Sequence, residues 1–288
     1  MTRFLKRALH VFVFDNIFIA CCTVSLNAVT RIALKLPAAL TALDVFVFFA
    51  TLYVYNYHKS LSLLQRQSVI ELIKIPFSGR LNKSVSFLIF LSAAGVALSF
   101  FFLSLQRQVA VAVLGILTLA YSLPLVTYRK TKKRFREIFI VKLLMISAVW
   151  SFVTVVLPAA GEKINNLEVV MLFAERLLFV FAITVPFEIR DMEQEIRWGN
   201  KTLPVVLGIE KSKRLAYTLL ALMTMILLVH YAISGLSLRI AAGMLLSAVA
   251  AAFTVHYTNE ARTNFFYKFY VDGTMLLQYI FVTLFCLL

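Results

Sequence analysis

Long apolar stretches dominate this sequence and constrain its fold more than any other feature. Stretches of about 20 apolar residues are long enough to cross the hydrocarbon core of a membrane. They lie near residues 8–30, 38–57, 84–104, 108–127, 138–159, 167–187, 214–234, 237–256 and 268–288. We therefore predict an all-α, polytopic membrane protein, a bundle of about nine transmembrane helices. Because the spans leave little chain for a soluble domain, residues 1–288 are predicted to form a single membrane domain.

The basic residues are distributed unevenly among the predicted loops. The chain has 29 Lys and Arg against 14 Asp and Glu, a net charge of +15. When alternate loops are assigned to opposite sides of the membrane, most cations fall on the side of the N-terminus. The positive-inside rule then predicts a cytoplasmic N-terminus and, with nine spans, an outside C-terminus in a bacterial inner (plasma) membrane. The basic excess is thereby explained by topology and membrane lipids, so no nucleic-acid partner is expected.

Two of the predicted cytoplasmic loops are long, at 58–83 and 188–213. The first carries apolar residues among polar ones, which favours an interfacial amphipathic helix ended by Pro76. Since the opposite loops are short, function is expected to face the cytoplasm.

Polar residues interrupt several predicted spans. Asp15 breaks the first apolar run, and no cleavage pattern follows cleanly, so we interpret this run as a retained span rather than a signal peptide. Lys142 is predicted either to pair with Asp15 or Asp44 or to line a substrate cavity. Glu175 and Arg176 are adjacent and hence lie on different helix faces, so separate partners are expected.

The segment between Pro186 and Pro204 holds four of the 14 acidic residues, just past an apolar stretch. If it stays helical, Glu188, Asp191 and Glu195 fall at positions i, i+3 and i+7 and share one face. Three convergent carboxylates suit a hard divalent cation such as Mg²⁺.

The same segment resembles a known family. Glu188–Glu195 followed by Gly199–Gly208, with its Gly-x-Lys-Thr-Leu-Pro order, is similar to the second Asp-rich motif and downstream signature of UbiA-type intramembrane prenyltransferases. The resemblance extends to Tyr121–Pro124 near the end of the fourth span and to the number of spans. It implies transfer of a prenyl group from a prenyl diphosphate to a lipophilic, commonly aromatic acceptor, in quinone, lipid or pigment biosynthesis.

The resemblance also implies roles for individual residues. Glu188, Asp191 and Glu195 would bind Mg²⁺, with fewer ions than is usual for the family. Arg190, Arg197, Lys201 and Tyr121 would bind substrate, because cations neutralise phosphate oxygens and aromatic faces attract an allylic cation.

The first Asp-rich motif of the family is degenerate here. The family has Asn-Asp-x-x-Asp-x-x-x-Asp at the end of the second span, and residues 56–64 keep only the Asn, so all three carboxylates are missing. Asn56 is followed closely by His58 and Lys59. We predict that these residues, together with Asp191, are catalytic, with His58 and Lys59 supplying positive charge to the diphosphate. The alternative is that all three only end a span at the headgroup level.

Three functions remain open from the sequence. The first is a prenyltransferase. The second is a catalytically inactive family member that acts as a lipid-binding or scaffold protein, favoured by the missing first-motif carboxylates. A transporter would require paired broken helices or repeated halves; the similar placement of the two long loops hints at such a repeat.

Overall fold

The computed structural model describes residues 3–37, 39–63, 83–122, 126–128, 131–133 and 139–288. The twelve α-helices within these residues are numbered here in chain order. They are α1 Arg3–Phe14, α2 Ile17–Ala33, α3 Ala42–Leu63, α4 Lys83–Phe100, α5 Leu105–Ser122, α6 Phe139–Ser151, α7 Leu157–Ala159, α8 Asn166–Arg197, α9 Leu203–Leu207, α10 Ile209–Ser234, α11 Leu238–His256 and α12 Asp272–Leu287. π-Helical turns at Phe152–Val156 and Phe266–Val271 join α6 to α7 and lead into α12.

The predicted helical class is confirmed. Apart from the helices, the described residues contain one antiparallel ladder, in which β1 (Val126–Tyr128) pairs with β2 (Thr131–Lys133). Within the described residues, five helical segments are long and apolar enough to cross a membrane: Ile140–Ala159, Asn166–Arg197, Ile209–Ser234, Leu238–His256 and Phe266–Leu287. A bent pair, Arg7–Phe14 with Ile17–Ala33, makes a sixth if it counts as one span. The prediction of a bundle of membrane-spanning helices is therefore confirmed, and the number of about nine spans stays a prediction.

The first predicted span is broken rather than straight. α1 and α2 meet at 61° across Asp15 and Asn16, and Asn16 has a φ of 65°, a left-handed conformation that Asn tolerates better than most residues. The broken turn is held by Asn56 of α3, which is fully buried. Its amide nitrogen donates to the Asp15 carbonyl, and its amide oxygen accepts from the Asn16 side chain, both at 3.1 Å.

The chain forms two compact units. Residues 1–25 and 39–103 make the first, and residues 26–38 and 104–288 the second. In the first, α3 packs along α4. The single domain predicted over residues 1–288 stays a prediction.

In the second unit, α8 packs against α6 and α10, and α11 packs against α12. Gly243 allows a close approach of α11 and α12, because a Cβ at this position would lie 2.6 Å from Cα of Val282. Small residues at helix contacts are typical of membrane bundles, where close packing rather than water exclusion drives association.

Polar side chains buried in this unit form two links between helices. Glu175 of α8 lies 2.7 Å from His230 of α10. Its neighbour Arg176 donates to Gln278 of α12, whose amide nitrogen donates to Ser247 of α11 at 3.1 Å. Separate partners for Glu175 and Arg176 are thus confirmed.

Two predicted features of the loops differ from the structure. The segment 188–213 is not a loop, because α8 continues to Arg197 and helices α9 and α10 follow almost at once. The loop at 58–83 is helical as far as Leu63; its predicted interfacial helix falls on residues 64–82, outside the described residues.

Candidate functional site

The carboxylate segment is the C-terminal part of α8, a helix of 32 residues. The helix is ended by Gly199, which has a φ of 70°. A residue with a side chain would be strained in this left-handed conformation, whereas glycine adopts it readily. The Gly199 amide donates to the Ile196 carbonyl at 3.0 Å and the Asn200 amide to the Glu195 carbonyl at 2.9 Å. This pair of hydrogen bonds is the Schellman motif. The glycine of the downstream signature therefore ends the site helix.

The rest of the signature turns the chain into α10. Thr202 is the N-cap residue of α9, and Pro204 lies in its first turn, where proline fits because that amide has no helical partner. Gly208 follows with φ 82° and ψ 163°, a conformation that only glycine adopts without strain. The Gly199–Gly208 segment therefore ends the carboxylate helix and leads the chain into α10.

Glu188, the first carboxylate of the motif, is buried and ion-paired. It is 6% exposed, and its Oε1 accepts a hydrogen bond from Nζ of Lys142 on α6 at 2.7 Å. Oε2 of the same carboxylate is buried without a hydrogen-bond partner among the described residues. The predicted pairing of Lys142 with Asp15 or Asp44 is wrong. Asp44, in the first turn of α3, instead accepts from the amide and hydroxyl of Thr41 at 2.8 and 2.9 Å.

Arg190 and Asp191 form a two-point ion pair. Nε and Nη2 of Arg190 donate to the two oxygens of Asp191 at 2.7 and 3.0 Å. The guanidinium also lies over the rings of Phe187 and Tyr267, with 5.0 and 5.5 Å to the ring centroids. Asp272, the first residue of α12, also interacts with Arg190 through its charge. Arg190 is therefore the most constrained cation of the motif.

The distal part of the motif lies at the surface. Glu195 accepts a hydrogen bond from Asn200 at 2.6 Å. Arg197 pairs with Glu193 at 3.0 Å, and Lys201 is exposed. These two cations are accessible to an anionic ligand, as their predicted substrate role requires.

The three predicted metal ligands do not form a metal site in this arrangement. No group of three or more His, Cys, Asp and Glu side chains within the described residues is placed to hold a metal ion. Glu188 is held by Lys142 and Asp191 by Arg190, so a cation already neutralises two of the three carboxylates. The residues present therefore do not fit the Mg²⁺ site that the family resemblance implies.

Two of the three predicted catalytic residues of the first motif, Asn56 and Lys59, make structural contacts within their own unit. Asn56 holds the turn between α1 and α2, as described above. Nζ of Lys59 donates to the Phe14 carbonyl at 3.0 Å and pairs with Asp15 at 3.1 Å. His58 is exposed. These contacts favour the alternative in which the segment ends a helix, and a catalytic role for the three residues stays a prediction.

One residue of the site was missed in the sequence, and another lies outside the described side chains. Tyr267 is fully buried and donates to the Asn259 carbonyl at 2.6 Å while its ring packs against Arg190. It lies in the π-helical turn Phe266–Val271, and such turns are often found at functional sites. The aromatic composition of the last span does not single it out. Tyr121 lies in α5, but its side chain is not among those described.

Solved structures with the same architecture were found. A UbiA homologue from Archaeoglobus fulgidus, bound to GPP and Mg²⁺, has a TM-score of 0.60 at 12% identity, covering 97% of this chain and 99% of that one. A digeranylgeranylglyceryl phosphate synthase has a TM-score of 0.58 at 14% identity, covering 95% and 98%. An apo UbiA homologue from Aeropyrum pernix K1 has a TM-score of 0.54 at 14% identity, covering 93% and 96%. At such identities the likeness establishes the fold alone.

A comparison with curated protein sequences found no significant match. The model of the UbiA prenyltransferase family, in contrast, matches residues 74–272. This range contains Lys142, the whole of α8 and the turn that follows it, and it covers more than half of the chain. The chain belongs to the UbiA prenyltransferase family.

Proposed function

We propose that this protein transfers a prenyl group from a prenyl diphosphate to a lipophilic, aromatic acceptor within the membrane. Family membership supports this reaction class, and the Archaeoglobus fulgidus homologue, which shares the fold, binds GPP. Quinone, lipid and pigment biosynthesis are the processes in which such a product is used.

The single observation that carries the proposal is the set of three cations, Arg190, Arg197 and Lys201, in the last turns of α8 and just beyond its end. Prenyl transfer requires cleavage of the allylic carbon–oxygen bond, which leaves negative charge on the diphosphate. Fixed cations stabilise that charge best when they need no rearrangement during the reaction. Arg190 is held in place by Asp191 and by two aromatic rings, and Arg197 and Lys201 lie beyond it at the exposed end of the helix.

In this mechanism the chain itself binds and orients the diphosphate. Arg190, Arg197 and Lys201 are the proposed diphosphate-binding residues, since guanidinium and ammonium groups form strong charge-assisted hydrogen bonds with phosphate oxygens. Tyr121 is the proposed residue beside the prenyl chain. A bound Mg²⁺ would add charge neutralisation of the leaving group, but the paired carboxylates do not fit it and no step depends on it.

The test is turnover by the purified protein in lipid nanodiscs. Prenyl diphosphates of several chain lengths are incubated with a panel of aromatic acceptors, with Mg²⁺ in one series and EDTA in the other, and pyrophosphate release is followed. We expect acceptor-dependent release. If no combination gave either pyrophosphate release or diphosphate binding, the proposed function would be refuted.

A matched pair of arginine variants makes the test specific to the site. Arg190→Gln should reduce release strongly, because it removes the held guanidinium. Arg239→Gln changes an exposed arginine at the start of α11 and should leave release unchanged. Equal rates of release in the two variants would show that Arg190 does not bind the diphosphate.

A second function, that of a catalytically inactive family member that binds a lipid or a protein partner, is favoured by a specific observation. Asn56 and Lys59 are engaged in the α1–α2 turn, while Glu188 is neutralised by Lys142. Diphosphate binding without turnover across the whole acceptor panel would support this function instead.

We also propose the orientation of the chain in a bacterial plasma membrane. The excess of lysine and arginine on alternate loops supports a cytoplasmic N-terminus and an outside C-terminus. In this orientation the end of α8 and its cations face the cytoplasm, the compartment from which a water-soluble diphosphate head group would enter.

A further inference from the structure

We propose that Lys142 is a diphosphate-binding residue, and that its ammonium group occupies the place at Glu188 where the family resemblance expects a metal ion. The inference rests on the proposed function for its ligand class, a diphosphate. It goes beyond that function because it replaces the expected metal ion with a side chain of the protein.

The geometry at Glu188 shows that Lys142 occupies the carboxylate to which a metal ion would bind. The carboxylate is 6% exposed and lies 2.7 Å from Nζ of Lys142. Breaking a buried ion pair leaves an uncompensated charge, which is strongly unfavourable. A divalent cation would have to displace the ammonium to reach Glu188, so the pair competes with metal binding rather than preparing for it.

The exposure of Lys142 leaves its ammonium group accessible to an anionic ligand. Its side chain is 34% exposed, whereas that of Glu188 is 8% exposed. An ammonium group has three N–H donors, and one of them is directed to Glu188. Glu188 therefore fixes the position of the cation from the buried side, while the lysine remains accessible to an anion from the other.

The neighbouring carboxylate shows the same pattern independently. Both oxygens of Asp191 accept from Arg190, so the two carboxylates nearest the core are each neutralised by one cation. Once they are paired, these two carboxylates offer little attraction to Mg²⁺, which binds through carboxylates together with substrate phosphates.

Binding of inorganic pyrophosphate and of Mn²⁺ to the full-length protein in nanodiscs tests this inference. Pyrophosphate binding is measured by calorimetry in EDTA and in Mg²⁺, and Mn²⁺ binding by electron paramagnetic resonance. We expect wild-type protein to bind pyrophosphate in EDTA within about threefold of its affinity in Mg²⁺, and no stoichiometric Mn²⁺ site. Pyrophosphate binding that requires Mg²⁺, with a Mn²⁺ site lost in Glu188→Gln, would overturn it.

Variants of the pair separate the role of Lys142 from folding. Lys142→Met should weaken pyrophosphate binding in EDTA about tenfold, the loss of one charge-assisted contact, and should expose Glu188 to Mn²⁺. Because this variant leaves a buried charge, the double variant Lys142→Met/Glu188→Gln is included; it should weaken pyrophosphate binding equally and acquire no Mn²⁺ site.

Two controls complete the set. Lys142→Arg keeps the charge and should bind pyrophosphate within a few-fold of wild type. Lys163→Met removes an exposed lysine before α8 begins and should have no effect. Unchanged pyrophosphate binding in the folded double variant would refute the role of Lys142.

The outcomes also distinguish this inference from the proposed function. Prenyl transfer that depends on a Mn²⁺ or Mg²⁺ ion bound at Glu188 would refute the inference and keep the function. Pyrophosphate binding in EDTA that depends on Lys142, without turnover, would refute the function and keep the inference.

Discussion

At the scale of single residues, the site is organised by cations that are held from more than one direction. Arg190 is fixed by both oxygens of Asp191 and by the rings of Phe187 and Tyr267. A planar guanidinium can make all of these contacts at once, whereas an ammonium is a point charge that cannot match them. The type of cation should therefore matter at this position as much as its charge.

The first prediction concerns the replacement Arg190→Lys. We expect it to weaken pyrophosphate binding by about tenfold or more, since it removes the two-point pair and one charge-assisted contact to the ligand. Calorimetric titration with pyrophosphate measures the effect. Arg239→Lys is the control, and an Arg190→Lys variant that binds as tightly as wild type would show that the held geometry is unimportant.

The second prediction concerns the ion pair between Lys59 and Asp15. The pair is partly exposed, at 33% and 20% of the side chains, so we expect a coupling free energy of about 0.5–1 kcal/mol. A double-mutant cycle with Lys59→Met and Asp15→Asn, followed by thermal unfolding, measures this coupling.

The same position tests the predicted catalytic role of Lys59. If its ammonium contacts the diphosphate, Lys59→Glu should abolish prenyl transfer in protein that remains folded. Transfer at the wild-type rate would show that Lys59 acts through its contacts in the α1–α2 turn and not on the diphosphate.

Partners of charged residues were the least predictable part of the site. The spacing of Glu188, Asp191 and Glu195 on one helix pointed to a candidate site, but the sequence did not show that Lys142 pairs with Glu188. Helices α6 and α8 come together only in the folded protein, and no local sequence pattern shows which residues of the two helices will be in contact.

At the scale of elements, helices were predictable because apolar length and helical periodicity are properties of the local sequence. Their ends were less predictable. α8 extends to Arg197, past the apolar stretch, because charged residues continue a helix readily until Gly199 ends it. The first span breaks at Asn16 because Asn56, distant in sequence, satisfies the polar groups of the turn.

The third prediction concerns the contact between α11 and α12. Gly243→Ala places a Cβ 2.6 Å from Cα of Val282, so the helices must separate, at a cost of about 1–3 kcal/mol. We expect a lower thermal unfolding temperature in detergent.

A matched glycine provides the control for this prediction. Gly115 lies in helix α5, and a Cβ added there would meet no atom of the described residues within 4 Å. Gly115→Ala should leave the unfolding temperature unchanged or raise it slightly, because alanine favours a helix. Equal destabilisation by both substitutions would contradict the close packing of α11 on α12.

At the scale of the whole molecule, the architecture is retained although the sequence has diverged. Three solved structures share the fold at 12–14% identity. Apolar spans of sufficient length specify a helical membrane fold without specifying individual residues, which explains why the class was predictable. The acceptor is not predictable in the same way, because it depends on cavity side chains that no local pattern identifies.

The fourth prediction concerns topology. We expect the segment that holds Lys201 to face the cytoplasm, since most of the 29 cations lie on alternate loops. Cysteines introduced at Lys201 and, as the opposite control, at Lys163 can be labelled with a membrane-impermeant maleimide in intact cells. Labelling of the Lys163→Cys variant alone is the expected result. Labelling of the Lys201→Cys variant alone would show that the chain has the opposite orientation in the membrane.

The most direct test of prenyl transfer by this protein is the detection of a prenylated product by mass spectrometry. Purified wild-type protein and the Arg190→Gln variant are supplied with the same prenyl diphosphates and aromatic acceptors in nanodiscs. We expect one new prenylated acceptor, formed together with pyrophosphate by the wild type and at a strongly reduced rate by the variant. If folded wild-type protein binds diphosphate but leaves every acceptor unmodified, the proposed reaction is contradicted.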